Sequence, residues 1–321
     1  MAPRLAVVIV NYRTPGLVLA CLRSLAGEVA ADPPTKVIVV DNHSGDGSVE
    51  RLSGGIAAGG WGAWASLLPL EANGGFAAGN NAALQRLLAG PAPPDAFVLL
   101  NPDTVVWPGA LRALAERAMS RPRAGIVGSH LEGEDGSPRS AAFRFHSIWS
   151  ELEGGLRLGI ASRLLSRWSV PLPPRAGAHR ADWVSGASML IRREVLEEVG
   201  LLDERYFLYF EEVDLCHRAH RAGWECWHEP ASRVTHLEGK ATGLDPANRL
   251  RRVPAYLLES RRRYFVKNRG RAYAILADVA WLCGHLAWRL RMRLQRRPDR
   301  AEPGLLADFL RQSAAVKGGA R

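Results

Sequence analysis

Short apolar segments alternate with segments of helical pattern over the first 130 residues of this 321-residue chain. Continuous runs rich in Val, Ile and Leu predict buried strands. A regular alternation of strands and helices favours a parallel sheet covered by helices, which is an α/β fold. The predicted strands are residues 5–10, 36–40, 67–70, 96–100 and 125–129, and the predicted helices are residues 14–25, 77–89 and 108–120. Between them, Ser48 is expected to cap a short helix, and the glycine-rich residues 54–62 are expected to be a loop.

Polar residues follow four of these strands at the point where each strand ends. In open α/β sheets, ligands bind beyond the carboxyl ends of the strands. Each cluster alone is equally compatible with an ordinary turn, but four clusters at equivalent places predict a ligand site at this edge of the sheet. The clusters occupy residues 11–13, 41–48, 73–76 and 101–103.

The second half of the chain has a different pattern. Residues 131–182 are irregular and rich in Gly, Pro and Arg, and the chain becomes helical and basic from residue 254 onward. Between these regions, the sequence predicts a strand at 187–191 and helices at 193–199 and 211–221.

The net charge of +10 is concentrated near the carboxyl terminus. Residues 249–300 contain fifteen Arg and Lys and three acidic residues, and the remainder of the chain is close to neutral. This distribution argues against a nucleic-acid binder and suits contact with an anionic membrane surface. Asp278 and His285 interrupt the apolar segment 272–288. The segment therefore predicts either an interfacial amphipathic helix or a helix packed on the catalytic domain with a basic outer face.

The four cysteines lie far apart, so a disulfide framework is not expected and a reducing compartment is indicated. The few residues before the first strand are too short for a secretion signal, which favours a cytoplasmic location. A structural zinc site is conceivable where two Cys and three His crowd into residues 216–228. Their order matches no common zinc spacing, and Cys216 and His220 share a helix face on which His217 does not lie.

Six motifs occur in order between residue 5 and about residue 240. They are VIVNY at 8–12, VVDNHS at 39–44, NGGFAAGNN at 73–81, LLNPD at 99–103, GASMLIRR at 186–193 and FLYFEEVDLCHR at 207–218. Together they resemble glycosyltransferase family 2, whose members are inverting nucleotide-sugar transferases with the GT-A fold. Within that family they most resemble the rhamnosyltransferase-like group that builds bacterial cell-surface polysaccharides.

The resemblance implies that different regions of the chain have different roles. Residues 1–130 would form the nucleotide-sugar-binding half of a GT-A domain, 131–248 its acceptor and catalytic half, and 249–321 a basic helical extension. Asp41 would accept hydrogen bonds from a pyrimidine NH or a ribose hydroxyl. The implied donor-binding residues are Asn11, Tyr12, Asp41, Asn73, Gly74, Phe76, Asn80, Asn101 and Asp103.

The resemblance also implies a divalent metal, Mg²⁺ or Mn²⁺, at the donor diphosphate. Asn101 replaces the first acid of the family's usual Asp-x-Asp motif, so Asp103 remains as the metal ligand, and His236 matches a histidine that completes the site in relatives. A bound cation stabilises the charge that develops on a diphosphate leaving group. Without the resemblance, Asn-Pro-Asp is an ordinary turn and His236 an ordinary loop histidine.

The acceptor side is implied by the last two motifs. Gly186, Ala187 and Glu211 would face the acceptor, and Glu212 stands where the family places its base, usually an aspartate. Glu212 and Asp214 point about 200° apart on a helix, so only one of them can face the cleft. Asp214 and Arg218 have the i, i+4 spacing of a structural ion pair.

The chain is therefore expected to be a metal-dependent inverting glycosyltransferase that moves a sugar from a nucleoside diphosphate donor to a lipid-linked or polysaccharide hydroxyl. The rhamnosyltransferase-like motifs favour dTDP-rhamnose, and a UDP-sugar is the alternative donor. A catalytically silent sugar-nucleotide-binding scaffold is the alternative outside catalysis, because Asn101 and Glu212 both depart from the family pattern. The expected location is the cytoplasm, at the inner face of the plasma membrane, with no nucleic-acid partner.

Overall fold

The apolar segments of the first half form the strands of one mixed sheet. The computed structural model describes residues 3–31, 35–158, 163–237, 252–298 and 301–317. The strands in these residues are β1 (Leu5–Asn11), β2 (Lys36–Asp41), β3 (Ala65–Pro69), β4 (Ala96–Leu100), β5 (Thr104–Val106), β6 (Ala124–Glu132), β7 (Ala142–Phe143), β8 (His179–Ala181), β9 (Trp183–Val184), β10 (Ser188–Arg192) and β11 (Glu225–His236).

The helices follow the strands through the first half and dominate the end of the chain. They are α1 (Pro15–Ala31), α2 (Ser48–Ala58), α3 (Gly75–Leu88), α4 (Ala110–Met119), α5 (Ile148–Leu156), α6 (Arg193–Val199), α7 (Glu211–Arg221), α8 (Ala255–Arg269), α9 (Arg271–Leu294), α10 (Leu305–Gln312) and α11 (Ala314–Lys317), with a 3₁₀ turn at Ser166–Trp168.

The strand order in the described residues is β3–β2–β1–β4–β10–β6–β11–β5, and β8 also pairs with β11. The first four strands run parallel, and β10 runs antiparallel between β4 and β6. The register places Asn11 opposite Asp41 and Ile9 opposite Leu100. The carboxyl ends of β1, β2 and β4 therefore meet at one edge of the sheet, where the polar clusters lie.

Burial on both faces explains why β1 and β4 are continuous apolar runs rather than alternating ones. Every residue of both strands is buried, and α1 and α4 contribute Leu22, Leu25 and Leu114 to the same core. The predicted α/β architecture is confirmed. The bounds predicted for β4, α6 and α7 match those of the structure.

Three local predictions in the first half are wrong. The first helix runs on to Ala31 rather than ending near residue 25. The glycine-rich segment 54–62 begins as helix, because α2 continues through Ala58; a Cβ on Gly55 would lie 2.4 Å from a methyl carbon of Leu19. Glycine there permits close helix packing instead of forming a loop. Ser48 is the first residue of α2, and the capping position is Gly47.

The chain divides into two compact units. The first comprises Met1–Ala142, Pro173–Phe207 and Glu211–Pro246 and contains the sheet. The second comprises Phe143–Leu172, Leu208–Phe210 and Ala247–Arg321 and is helical. The functional halves expected from the sequence, with boundaries near residues 130 and 248, are divisions by role and stay predictions.

Glycine allows two helices of the second unit to touch through their backbones. A Cβ on Gly155 of α5 would lie 2.5 Å from the carbonyl oxygen of Trp281, and one on Gly284 of α9 would lie 2.6 Å from the carbonyl oxygen of Leu152. Real Cβ atoms do not approach so closely, so these two positions require glycine for the helices to cross at this distance.

Arg261 of α8 joins α5 and α9 through a buried ion triad. Its guanidinium lies 2.7 Å from Glu151 Oε2 and 2.6 Å from Asp278 Oδ1. The other Asp278 oxygen accepts the backbone NH of Ala314 at 2.8 Å. Burial of such groups costs free energy unless every charge is paired, and here the Arg261 cation lowers the pKa of Glu151 despite its burial.

The long helix α9 buries polar side chains and exposes apolar ones. The two polar residues that interrupt its apolar sequence, Asp278 and His285, are buried. Its outer face carries apolar side chains along most of its length, so of the two alternatives for this segment, the one with a basic outer face is wrong. Among the described residues, no helix has both the length and the hydropathy needed to cross a bilayer.

Candidate active site

A buried hydrogen-bond network joins the ends of β1 and β2. Asn11 Nδ2 donates to Asp41 Oδ2 at 2.7 Å and to Ser44 Oγ at 3.2 Å. The Ser44 NH donates to Asp41 Oδ1 at 3.0 Å, and its hydroxyl donates to Asp41 Oδ2 at 2.7 Å. These bonds hold the Asp41 carboxylate in one orientation at the edge of the sheet.

Tyr12 lies on the solvent side of this network. Its ring is exposed, and the guanidinium of Arg13 sits 5.1 Å from the ring centroid. Arg13 adopts φ +59° and donates through Nε to the carbonyl of Ser44 at 3.0 Å. The loop after β1 is therefore fixed to the loop after β2, and Tyr12 remains accessible at its rim.

The third cluster forms a tight turn into α3. Asn73 Oδ1 accepts the NH of Gly75 at 3.0 Å and the side-chain amide of Asn42 at 2.9 Å. Gly75 has φ +87°, and a Cβ there would lie 2.1 Å from the carbonyl oxygen of Phe207, which also accepts the Phe76 NH at 2.8 Å. The conformation and the close approach both require glycine at position 75.

Asn80 and Asn81 are buried within α3 and support the turn from behind. Asn80 Nδ2 donates to the carbonyl of Phe76 at 2.9 Å. Asn81 donates to the carbonyl of Leu202 at 2.8 Å and accepts the Leu202 NH at 3.1 Å. The sequence places Asn80 among the donor-binding residues, and in the structure its amide nitrogen holds the backbone that presents Phe76.

The residues proposed for the metal come together. His236 Nε2 lies 3.3 Å from Asp103 Oδ1 and 3.4 Å from Asn101 Nδ2. β5 and β11 pair between Thr104 and His236, and the Leu237 NH donates to the Asp103 carbonyl at 2.9 Å. The residues that follow β4 and the last residue of β11 therefore lie next to each other.

A carboxylate and an imidazole at this separation fit a divalent cation. No group of three or more Cys, His, Asp or Glu in the described ranges has metal-binding geometry. Two side chains are nevertheless a sufficient protein contribution where a diphosphate supplies further oxygens, because Mg²⁺ is commonly held by one or two carboxylates together with substrate phosphates and water.

Residues that the sequence predicts for the acceptor side lie near the start of α7. A Cβ on Gly186 would lie 3.7 Å from the Cβ of Glu212 and 3.9 Å from a ring carbon of Phe76. The Asn101 NH donates to the carbonyl of Ala187 at 2.9 Å. The structure therefore brings the third, fourth, fifth and sixth motifs to one place, although the contacting residues lie up to 136 residues apart in sequence.

The three carboxylates of α7 occupy different environments. Glu212 is half-buried beside Gly186, whereas Glu211 is buried. Burial, together with the neighbouring Glu212 carboxylate, raises the pKa of Glu211 well above its usual range. Asp214 is fully buried, with Arg218 Nε 2.9 Å from its Oδ2, so the predicted ion pair is confirmed.

The zinc site considered for residues 216–228 has no support in the described residues. Cys216 and Cys226 are buried, and burial together with Cys216 raises the pKa of the Cys226 thiol well above its usual range. His228 instead lies among imidazoles from neighbouring strands, with ring centroids 4.9 Å from His179 and 6.1 Å from His130.

A family model described as glycosyltransferase-like family 2 matches residues 3–255. The chain belongs to glycosyltransferase family 2. It is 31% identical to the N-acetylglucosaminyl-diphospho-decaprenol L-rhamnosyltransferase of Mycobacterium tuberculosis over 92% of each chain. It is also 27% identical to the rhamnosyltransferase WbbL of Escherichia coli K12, over 46% of this chain and 53% of that protein.

Solved structures of low sequence identity share the fold. GalNAc-T7, solved with UDP, GalNAc and Mn²⁺, superposes with a TM-score of 0.57 at 16% identity, over 91% of this chain and 56% of that one. The mannosyltransferase PcManGT of Pyrobaculum calidifontis, solved with GDP-Man and Mn²⁺, gives 0.56 at 17% identity, over 99% and 82%. The family 2 chain therefore has the predicted GT-A fold.

Some residues that shape this family 2 site were not singled out from the sequence. Ser44 orients Asp41 from three residues further along the chain, and the tendency of Asp side chains to accept hydrogen bonds from nearby backbone NH groups was an available signal. Asn42 binds Asn73 and the carbonyl of Gly75. Phe207, which receives the Phe76 NH, lies 131 residues further along the chain, and no local pattern indicates that contact.

Proposed function

We propose that the protein transfers L-rhamnose from dTDP-rhamnose to a hydroxyl of a lipid-linked or polysaccharide acceptor, with inversion of the anomeric centre. Two relatives are named rhamnosyltransferases, and the one matched over 92% of both chains is named for a lipid diphosphate acceptor. Such an acceptor resides in a bilayer, so the proposed site of action is the cytoplasmic surface of a membrane.

The proposed donor site uses the network around Asp41. A carboxylate offers about four acceptor positions, and Ser44 and Asn11 occupy three of them. The remaining position can accept a pyrimidine NH or a ribose hydroxyl. Tyr12 at the rim and the backbone around Asn73 and Gly74 would bound the same donor, and Asn101 would contact its diphosphate end.

Asp103 and His236 would hold the divalent cation. Bound there, it would stabilise the negative charge that develops on the departing diphosphate. Thr104 helps to fix this segment, because its hydroxyl donates to the Asn101 carbonyl at 2.7 Å. Asn101 carries no charge, so Asp103 supplies the anionic oxygen of the proposed site.

Glu212 is the proposed base. Its position beside Gly186 and Phe76 is the observation that carries the proposal, since the missing side chain at Gly186 leaves space alongside the aliphatic part of the Glu212 side chain, where an acceptor would lie. Glu212 would accept the hydroxyl proton as the oxygen attacks the anomeric carbon, and the bond to the diphosphate oxygen would break on the opposite side. A single displacement of this kind inverts the anomeric centre.

The test uses the full chain, dTDP-rhamnose, a short-chain polyprenyl diphosphate N-acetylglucosamine, and Mg²⁺ or Mn²⁺. We expect a rhamnoside whose anomeric configuration, measured by NMR, is opposite to that of the donor. Glu212→Gln should lower turnover by roughly 10²–10⁴ while the donor Kd, measured by calorimetry, changes little.

Three outcomes would contradict parts of this proposal. Turnover with UDP-sugars and not with dTDP-rhamnose would refute the donor. Retention of the anomeric configuration would refute the single displacement. Donor binding with neither transfer to any acceptor nor slow donor hydrolysis would favour the scaffold alternative.

A further inference from the structure

The outer face of α9 is an apolar stripe. Its large members are between 49% and 77% exposed and recur every three or four residues, so they fall within about 80° around the helix. Cys283, also exposed, lies within the same stripe. The stripe consists of Leu276, Val279, Cys283, Leu286, Leu290 and Leu294.

The packing of the second unit fixes this orientation. Asp278 is held by Arg261 and by the NH of Ala314, and Gly284 touches the backbone of α5. Trp281 stacks on Phe309 of α10 with ring centroids 4.0 Å apart. These contacts occupy the opposite side of α9, so the leucines of the stripe cannot turn inward without breaking the buried ion triad.

Positive charge flanks the stripe at its carboxyl end. Residues 279–298 contain five arginines and no acidic residue. Arg293, Arg296 and Arg297 are exposed, and none of them forms an ion pair with another described residue. Leucines on one face with arginines beside them form the pattern of helices that lie in a membrane interface.

We propose that the α9 stripe inserts into the headgroup region of an anionic phospholipid bilayer, with Arg293, Arg296 and Arg297 on the lipid phosphates. A second copy of the chain is a poorer occupant. Exposed Arg269 and Arg271 make the other end of α9 basic as well, so neither parallel nor antiparallel pairing brings opposite charges together. The contact is independent of the donor and of the proposed base.

Cys283 provides a direct probe of insertion. The other three cysteines are buried, so a thiol-reactive, polarity-sensitive dye should label the native full-length chain at Cys283. Vesicles of phosphatidylcholine containing a third phosphatidylglycerol should shift the emission to the blue, and pure phosphatidylcholine vesicles should do so much less. Raising the salt from 0.01 M to 1 M should weaken binding, because it shortens the Debye length from about 30 Å to 3 Å.

Variants separate the two contributions. Leu286→Asp/Leu290→Asp should lower partitioning into anionic vesicles by at least about tenfold. Arg293→Gln/Arg296→Gln/Arg297→Gln should remove most of the preference for anionic over neutral lipid, by up to roughly a hundredfold. Leu164→Asp is the matched control, since Leu164 is at least as exposed as these leucines but lies outside α9, and it should bind as the wild type does.

Three results would overturn the inference. The dye on Cys283 could show no shift with anionic vesicles, which would mean that the stripe does not enter the bilayer. Leu286→Asp/Leu290→Asp, with an unchanged circular dichroism spectrum and melting temperature, could bind like the wild type. A lipid-free dimer detected by light scattering that this double variant dissociates would assign the stripe to a second copy.

Discussion

Replacing Gly75 by alanine tests how the donor loop is held. The residue adopts φ +87°, and an added methyl group would lie 2.1 Å from the carbonyl oxygen of Phe207, well inside any normal contact. Phe207 would have to move by about an ångström, and its carbonyl would then lose the hydrogen bond from the Phe76 NH.

The expected cost combines two contributions. An L-residue in the left-handed region costs about 1–2 kcal/mol, and loss of a partly buried hydrogen bond costs about 1 kcal/mol more. Gly75→Ala should therefore lower the free energy of unfolding by roughly 2–3 kcal/mol, and it should weaken donor binding because Asn73 and Phe76 flank the substitution.

Gly60→Ala is the control, because Gly60 has a similar φ of +68° but open space where the added methyl group would lie. It should show only the conformational cost and leave donor affinity unchanged. Urea denaturation followed by circular dichroism, with donor binding by calorimetry, compares the two variants. Equal stability of Gly75→Ala and Gly60→Ala, with normal donor binding in both, would refute the reasoning.

Three other predictions concern charged and titratable groups. Asp103→Asn should abolish the dependence of donor binding on Mn²⁺ while the circular dichroism spectrum is retained; wild-type activity that withstands a chelator would contradict it. Asp214→Asn should lower the melting temperature through loss of the Arg218 ion pair, whereas Glu212→Gln should lower turnover, and the reverse pattern would exchange their roles. Burial and the neighbouring imidazoles lower the pKa of His228 from 6.5 to about 4. The unfolded chain then binds more protons between these values, so the free energy of unfolding should fall by up to about 3 kcal/mol as the pH is lowered from 7 to 4, and a His228→Gln variant with the same pH profile would contradict this.

The sequence predicted the elements whose signal is local. β4 is a continuous apolar run bounded by prolines on one side and by Asn101-Pro102 on the other, and its bounds match. α6 ends directly before Gly200 and α7 shortly before Gly223, and both glycines have a positive φ. The convergence of the polar clusters followed from strand direction alone, because parallel strands place their carboxyl ends together.

Features that depend on distant contacts were missed. The segment around Gly55 is rich in glycine, as loops are. The approach of Leu19 from α1 explains why a glycine lies inside a helix there. The hydrogen bond from the Phe76 NH to the Phe207 carbonyl could not be predicted from the spacing of residues in the sequence. In α9, the sequence shows both leucines and two polar residues, but which face is buried depends on Arg261 and α5. The sequence therefore left open whether the helix is amphipathic and interfacial or packed with a basic outer face.

The contact between Gly155 and Gly284 has a consequence for reading related sequences. Because the two backbones touch, α5 fixes the rotation of α9 about its own axis, and so determines which residues of α9 face outward. A bulkier residue at either position would force the helices apart or turn α9 about its axis, and each residue of phase error corresponds to about 100°. A relative that carries larger side chains at both positions is therefore expected to present a different set of residues outward, even where its α9 leucines are retained.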